Sequence, residues 1–411
     1  MQSPQTLPEH VRKRGLAVIL VATFLSWGGF FIVVPLISVH FVDGLGWTAA
    51  SVGLILAVRQ FMQQGTSSLT GVLADRFGPK PLICVGLLIR IAGFLLLAAA
   101  GSYLMVMLSA LLMAIGGGFF ESPQAAATAA LTTPEDRQRF FSLSGVVAGL
   151  GVSLGTQAGA LLLDVDFALV SLTAAASFVI IFFCVLIFFP AISVSNSQEN
   201  AWRGLERALK DRTFVTFNVI LMGYWFMWTQ FSISLPLAAT AIAGNTSAVA
   251  WVYAVNSGVT ILLGYLLPRA LEKRLASLPM LLAGILLMAI GFLAISGVDT
   301  LAMLLIAVFV ISIGMVLTRP SQQTITAGLA NPNALGAFLG AASLSLAIGG
   351  GIGNYAGGAI YDIGEQSGMT WLPWIIFGSI GLLTAFGLSR MRVPLEVKSR
   401  EQSLNDVLLN S

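Results

Sequence analysis

The chain has 411 residues, of which 57% are hydrophobic and only 9% charged, with a mean hydropathy of +0.90 and a formal net charge of +3. A water-soluble domain carries about 25% charged residues, so this composition excludes a protein solvated by water on all sides. The net charge is too small to point to a nucleic-acid partner, and none is expected.

Ahead of the first apolar run stand His10, Arg12, Lys13 and Arg14. A charged start of this kind resembles a secretory signal. The run from Leu16 to Val39 is too long for a signal core and lacks an A-x-A cleavage site, so it reads as a retained first span. Further apolar runs follow near 48–73, 81–100, 103–131, 139–163, 167–190, 213–238, 247–268, 277–297, 300–328, 334–360 and 371–390. About 20 apolar residues suffice to cross a bilayer as a helix. Backbone polar groups in lipid must be satisfied within the segment, which makes these runs helices. The expectation is an all-α membrane protein with twelve transmembrane helices. Cys84 and Cys184 lie inside apolar runs and read as small packing residues, not as a disulfide or metal site.

Orientation follows from Lys and Arg. Of the 21 such residues, all but Arg59, Arg90 and Arg319 (hence 18) lie in the termini or the even-numbered loops. The odd-numbered loops hold none, although they carry Asp43, Asp164, Asp166, Asp299, Asp362 and Glu365. Both termini and the even loops are therefore expected in the cytoplasm of a bacterial cell, with the chain crossing the inner membrane.

The longest loop, 191–212, separates six spans from six. Residues 1–190 are expected to form one six-helix bundle, and 213–411 a second one with a short cytoplasmic tail. Within the loop, Trp202, Leu205, Ala208 and Leu209 alternate with Arg203, Arg207 and Lys210 at helical spacing. This predicts an amphipathic helix on the inner leaflet, with a solvated linker as the alternative.

The halves repeat. A shift of 198 residues lays Leu131 on Leu329, Pro134 on Pro332, Phe140 on Phe338, and Gly151, Gly155 and Gly159 on Gly349, Gly353 and Gly357. Asp164 falls on Asp362. Two parallel six-helix repeats related by a pseudo-two-fold axis, with a site between them near the midplane, describe one transporter architecture. The glycines permit close helix approach, for static packing, for sliding, or for both.

Between spans two and three stands Gly71-Val-Leu-Ala-Asp75-Arg76-Phe-Gly78-Pro79-Lys80. It resembles the loop signature G-x-x-x-D-R-x-G-R-K of the major facilitator superfamily, with Pro79 in place of a basic residue. The stretches FFIVVPLISVHFVDGLGW, RQFMQQG, GVLADRFGPKPLI and RFFSLSG further resemble the drug:proton antiporter group of that superfamily. The resemblance implies the major facilitator fold. It also implies a cytoplasmic gate motif at Gly71, Asp75, Arg76, Gly78 and Lys80, with Asp75 and Arg76 latching the cytoplasmic side in the outward-facing state. Two departures stand out. The Gly-Pro pair of the antiporters' fifth span is Gly155-Thr156 here, and the first span has no ionisable residue.

Four ionisable residues fall well inside the spans: Arg59, Arg90, Glu121 and Arg319. At 1.5 Å per residue each lies roughly 14–18 Å from its cytoplasmic helix end, which predicts one layer near the bilayer centre. Charge there is costly and faces the protein interior or a water-filled cavity. Glu121 is the candidate proton-coupling residue, its affinity raised by burial and lowered by a neighbouring arginine. A fixed ion pair is the alternative. Arg59, Arg90 and Arg319 are candidates for the substrate cavity, together with Tyr224 and Trp228. The excess of cations suits an anionic or zwitterionic ligand at least as well as a cationic one.

The expected function is secondary active efflux of small amphipathic compounds driven by proton entry. The alternative is a carrier for one acidic or zwitterionic metabolite. A membrane receptor or intramembrane enzyme is disfavoured, because the chain has neither a His cluster nor a P-loop. No cofactor is expected, with the proton gradient as energy source. The expected partners are the substrate, protons and lipid, with the chain a monomer.

Overall fold

A computed structural model of the chain describes residues 8–132, 134–192, 201–272, 274–330 and 335–391. The first half comprises α1 (Glu9–Ser38, continued by a π-helical turn Val39–Gly44), α2 (Ala49–Phe77), α3 (Pro79–Ala98), α4 (Tyr103–Leu131), α5 (Pro134–Leu163) and α6 (Phe167–Phe188). A short helix α7 (Ala201–Lys210) leads to the second half. There follow α8 (Arg212–Thr229), α9 (Ser234–Ala243), α10 (Ser247–Leu263), α11 (Leu266–Glu272), α12 (Ser277–Ile295), α13 (Leu301–Leu329), α14 (Leu335–Gln366) and α15 (Leu372–Arg390).

Local chemistry fixes several helix starts. The side chains of Thr48, Ser102, Asp166, Asp211 and Thr300 each accept a hydrogen bond from a backbone N–H in the first turn that follows. Between α2 and α3, Gly78 has φ +79°, a left-handed conformation that favours glycine. Nine of the described spans are long and apolar enough to cross a bilayer, and a tenth is the bent pair α10–α11. The remaining two of the twelve are α2 and α14, 29 and 32 residues long. Polar Arg59, Gln60, Gln63 and Gln64 lower the hydropathy of α2 at mid-span.

Two spans expected to be continuous are broken. Span seven is α8 and α9 joined by a 3-10 turn at Gln230–Ser232. Gln230 steadies that joint: its Nε2 donates to the carbonyls of Phe226 and Gly353, and its Oε1 accepts from Ser234. Span eight bends by 48° between α10 and α11.

The repeat reaches much further than spans four, five, ten and eleven. Helices α2, α3 and α4 start at 49, 79 and 103, and α10, α12 and α13 start at 247, 277 and 301, each 198 residues later. Packing obeys the same offset. In the first half α1 packs on α5 and α6, α3 on α4 and α6, and α2 on α4. In the second, α8 packs on α14 and α15, α12 on α13 and α15, and α10 on α13. Even single contacts recur. A methyl added to Gly151 would lie 2.5 Å from the carbonyl oxygen of Phe24, and one added to Gly349 would lie 2.5 Å from that of Met222. The pairs Gly86–Gly116 and Gly284–Gly314 repeat in the same way. Small residues thus let helix backbones touch, as lipid-solvated packing requires.

The halves meet along α2–α14 and α5–α10. Among the described residues, hydrogen bonds between halves gather at the end away from the termini. There Asp43 accepts from Thr240, Asp164 from Thr246, and Asp362 from the N–H groups of Ala49 and Ala50 (2.8 Å each). Ser38 donates to the carbonyl of Ser232 at 3.2 Å. Toward the termini the halves part. Glu121 and Arg319 are exposed, and Gly145 and Gly340 have no neighbour within 4 Å of an added methyl.

Candidate functional site

A small cavity, partly open to solvent, lies between the halves at mid-span. Its walls include Phe30, Phe31, Arg59 and Gln60 from the first half, and Trp228 and Asn354 from the second. Phe30 and Trp228 are 198 positions apart, so the repeat itself supplies one aromatic wall from each half. Aromatic faces with a few polar groups suit an amphipathic ligand. Trp228 thus stands where the sequence placed it. Tyr224 does not: it is 1% exposed and its ring packs 4.7 Å from that of Trp225. Tyr224 and Trp228 are one helical turn apart, but of the two only Trp228 lines the cavity, and Tyr224 is buried beside Trp225.

Arg59, Arg90 and Glu121 come together in the first half, as their shared depth predicts. Arg90 and Glu121 form an ion pair, Nη2 to Oε1 at 3.3 Å. Gln63, which the sequence reading passed over, joins them: its Nε2 donates to both Glu121 oxygens at 2.9 Å. Its Oε1 accepts from Arg59 Nη1 at 2.7 Å. The two guanidiniums lie 5.0 and 5.5 Å from the ring of Phe30, and Arg90 also faces Phe178 at 5.1 Å. Cation–π contact offsets part of the cost of burying them. Glycine makes the cluster possible. A methyl on Gly116 would strike the Arg90 backbone nitrogen at 2.7 Å, and one on Gly117 would crowd Gln63 and Arg90.

Two expectations need correcting. Arg90 is not on the cavity wall, since it is 2% exposed behind Glu121, with Nε and Nη1 unpartnered. Glu121 is not buried, because 47% of its side chain is exposed. At 100° per residue, Glu121 sits roughly 140° around α4 from Leu108, one of the exposed apolar residues on the lipid-facing stripe. The carboxylate therefore faces the space between the halves, not lipid.

Arg319 stays apart from this cluster. It occupies the position 198 residues after Glu121 and is exposed. Among the described residues no hydrogen bond or ion pair holds its side chain. Where the first half places Arg90 and Gln63, the second has Met288 and Ile261. The predicted single layer of four charges is thus one network of three in the first half and one cation in the second.

In the gate motif, Gly78 makes the turn and Lys80 Nζ donates to the carbonyl of Phe189 at the end of α6, 2.7 Å away. Gly71, Asp75 and Arg76 lie on α2, and the side chains of Asp75 and Arg76 are outside what the structure describes.

Two six-helix repeats around a central cavity of aromatic and polar side chains define a membrane transporter, and the comparisons agree. A family model described as Major Facilitator Superfamily matches residues 19–354, and the chain belongs to that superfamily. It is similar to the multidrug resistance protein MdtH of Photorhabdus laumondii, 37% identical over 400 residues, covering 97% of this chain and 100% of the relative. MdtH of Yersinia pestis is 38% identical over 382 residues, 93% of this chain and 95% of the relative. Among solved structures, the peptide transporter POT in complex with sulfate superposes with a TM-score of 0.81 at 16% identity, covering 94% of this chain and 95% of that one. The human organic anion transporter MFSD10 superposes at 0.66 and 17%, covering 93% and 100%. These distant structures share the fold.

Proposed function

We propose that this transporter expels small amphipathic compounds across the bacterial inner membrane in exchange for protons, by alternating access. The carrying observation is Glu121, a half-exposed carboxylate held by Gln63 and Arg90 beside the space between two repeated halves. A carboxylate reached by water at mid-span can take and lose a proton as its partners move. The multidrug resistance names of relatives 37–38% identical over nearly the whole chain support the substrate class. Arg59 from the first half and Trp228 from the second would contact the substrate at the cavity wall, with Arg319 a further contact from the second half. In this reading both termini face the cytoplasm, as the cationic loops support, and the cavity opens inward. We take the chain to act as a monomer in lipid, with no cofactor.

Everted membrane vesicles energised to a steady pH gradient, read with a pH-quenched dye, test this reading. A panel of cationic, neutral and acidic compounds is added to vesicles carrying the parent protein or Glu121→Gln. Collapse of the gradient by particular compounds, absent in the variant, is the expected result. A variant that keeps full dependence on the gradient overturns the role of Glu121.

A second reading, transport of one acidic metabolite, draws on Arg319, an exposed cation with no carboxylate bonded to it among the described residues. Selective weakening of acidic compounds by Arg319→Gln would favour it. An equal loss for all compounds would mark Arg319 as structural.

A further inference from the structure

The hydrogen bonds around Gln63 run in one direction. Arg59 can only donate, and an ionised Glu121 can only accept. Neighbours of this kind leave Gln63 one orientation, with its carbonyl toward Arg59 and its amide nitrogen toward Glu121. The chain of donation therefore reads Arg59 to Gln63 to Glu121, and its last bond is charge-assisted only while Glu121 is ionised. A protonated Glu121 keeps one carbonyl oxygen for Gln63, but that bond loses its charge assistance, and the other oxygen presents an O–H that the Gln63 nitrogen cannot accept. Turning the amide over would accept that proton but would set its N–H₂ group against the Arg59 guanidinium, donor against donor. Protonation at Glu121 thus has a consequence one residue further along, at Arg59, whose Nε already has no partner.

We propose that Gln63 is a positioning residue that transmits the protonation state of Glu121 to the substrate cavity through Arg59. With Glu121 ionised, Gln63 ties the guanidinium of Arg59 back along α2. With Glu121 protonated, that tie weakens and the two buried guanidiniums of Arg59 and Arg90 lose the anion between them, so Arg59 is freer to turn into the cavity that it lines. A free cation there opposes a neutral or cationic amphipathic ligand, so proton and ligand exclude one another, which is the sign antiport requires. The titratable groups that face Glu121 among the described residues are Arg90 on α3 and, through Gln63, Arg59 on α2. From α1 the cluster meets only the ring of Phe30. Gly117 lets the amide lie close against α4. This relay rests on the reading of Glu121 as the proton site.

The test uses ethidium, a fluorescent aromatic cation, binding to the purified full chain in detergent between about pH 8 and about pH 6. For the parent protein, affinity should fall at least about fivefold on acidification, within the usual range of coupling between two sites. Glu121→Gln should bind with little dependence on pH. Gln63→Leu should bind ethidium but with its pH dependence reduced to less than about twofold, since Arg59 no longer senses Glu121. A merely structural Gln63 would lower affinity equally at every pH and leave the pH dependence intact. That result overturns the relay alone. Binding by the parent protein that does not change with pH, or a pH dependence that survives in Glu121→Gln, overturns both the relay and the proton role of Glu121.

Discussion

Asp164 and Asp362 stand 198 positions apart, and each accepts a hydrogen bond from the start of a helix belonging to the other half. Asp164 takes the Thr246 hydroxyl ahead of α10, and Asp362 takes the first two backbone N–H groups of α2. An acid at a helix N-terminus also meets the positive end of the helix dipole. The two are unequal, since Asp164 is exposed and Asp362 is half-buried with two bonds.

Removing the second of these latches should therefore open the molecule on the side away from the termini. Hydrogen bonds to a charged group contribute roughly 1.5–3 kcal/mol each, so Asp362→Ala should shift the population of that open form by about tenfold or more. Asp164→Ala should shift it far less. Labelling of a cysteine placed in the α2–α14 seam, or paired spin-label distances across it, would report the change. Equal effects of the two variants would show that helix-end contacts do not hold the seam.

Arg90 invites a substitution that the protein has already made in its other half. Met288 fills the equivalent place between α12 and α13, so Arg90→Met should fold. Replacing a buried ion by an apolar side chain is often neutral or stabilising, and here the partner Glu121 keeps access to water. The thermal midpoint should change by only a few degrees, as about 1 kcal/mol implies, while transport driven by the pH gradient is lost. A protein that fails to accumulate in the membrane would show that Arg90 is needed for assembly.

Glycine-to-alanine changes should separate by position. A methyl on Gly155 would lie 2.4 Å from the carbonyl oxygen of Gly28, so Gly155→Ala should destabilise by about 1–3 kcal/mol. At Gly145 an added methyl meets nothing within 4 Å, and Gly145→Ala should be neutral or stabilising by up to about 1 kcal/mol. Thermal unfolding followed by size-exclusion with a fluorescent fusion would rank them. A destabilised Gly145→Ala would mean that α5 is packed there in another state of the cycle.

Gln230→Leu tests the joint of span seven. It strips hydrogen bonds from the carbonyls of Phe226 and Gly353 and from Ser234. Buried groups left without partners cost about 1–3 kcal/mol each. A fall of several degrees in the thermal midpoint is expected, and an unchanged midpoint would show that water or a neighbouring donor replaces the amide.

Much of this was open to a reader of the sequence, and the reasons for the gaps are physical. Apolar length alone revealed the spans, because lipid forces helices wherever such runs occur. The joint at Gln230-Phe-Ser232 was hidden because neither Pro nor Gly marks it, and a side-chain amide does the work. The repeat was visible where Gly, Pro and Asp survive in both halves. It was invisible in spans three and nine, where the backbone contacts persist but Arg90 has become Met288. Burial of Tyr224 depends on neighbours that are distant in the chain. Gln63 was missed because a neutral amide in a polar stretch carries no charge signal, and only its neighbours give it a direction.

The single offset that relates α2–α14 to α5–α10 makes this one polypeptide an isologous dimer of itself, each half presenting the same two helices to the other. In such an arrangement neither half can be assigned as the moving part and neither as the frame. What gives the cycle a direction is the small set of positions at which the copies have diverged, above all an acid in one copy and a base in the other at residues 121 and 319.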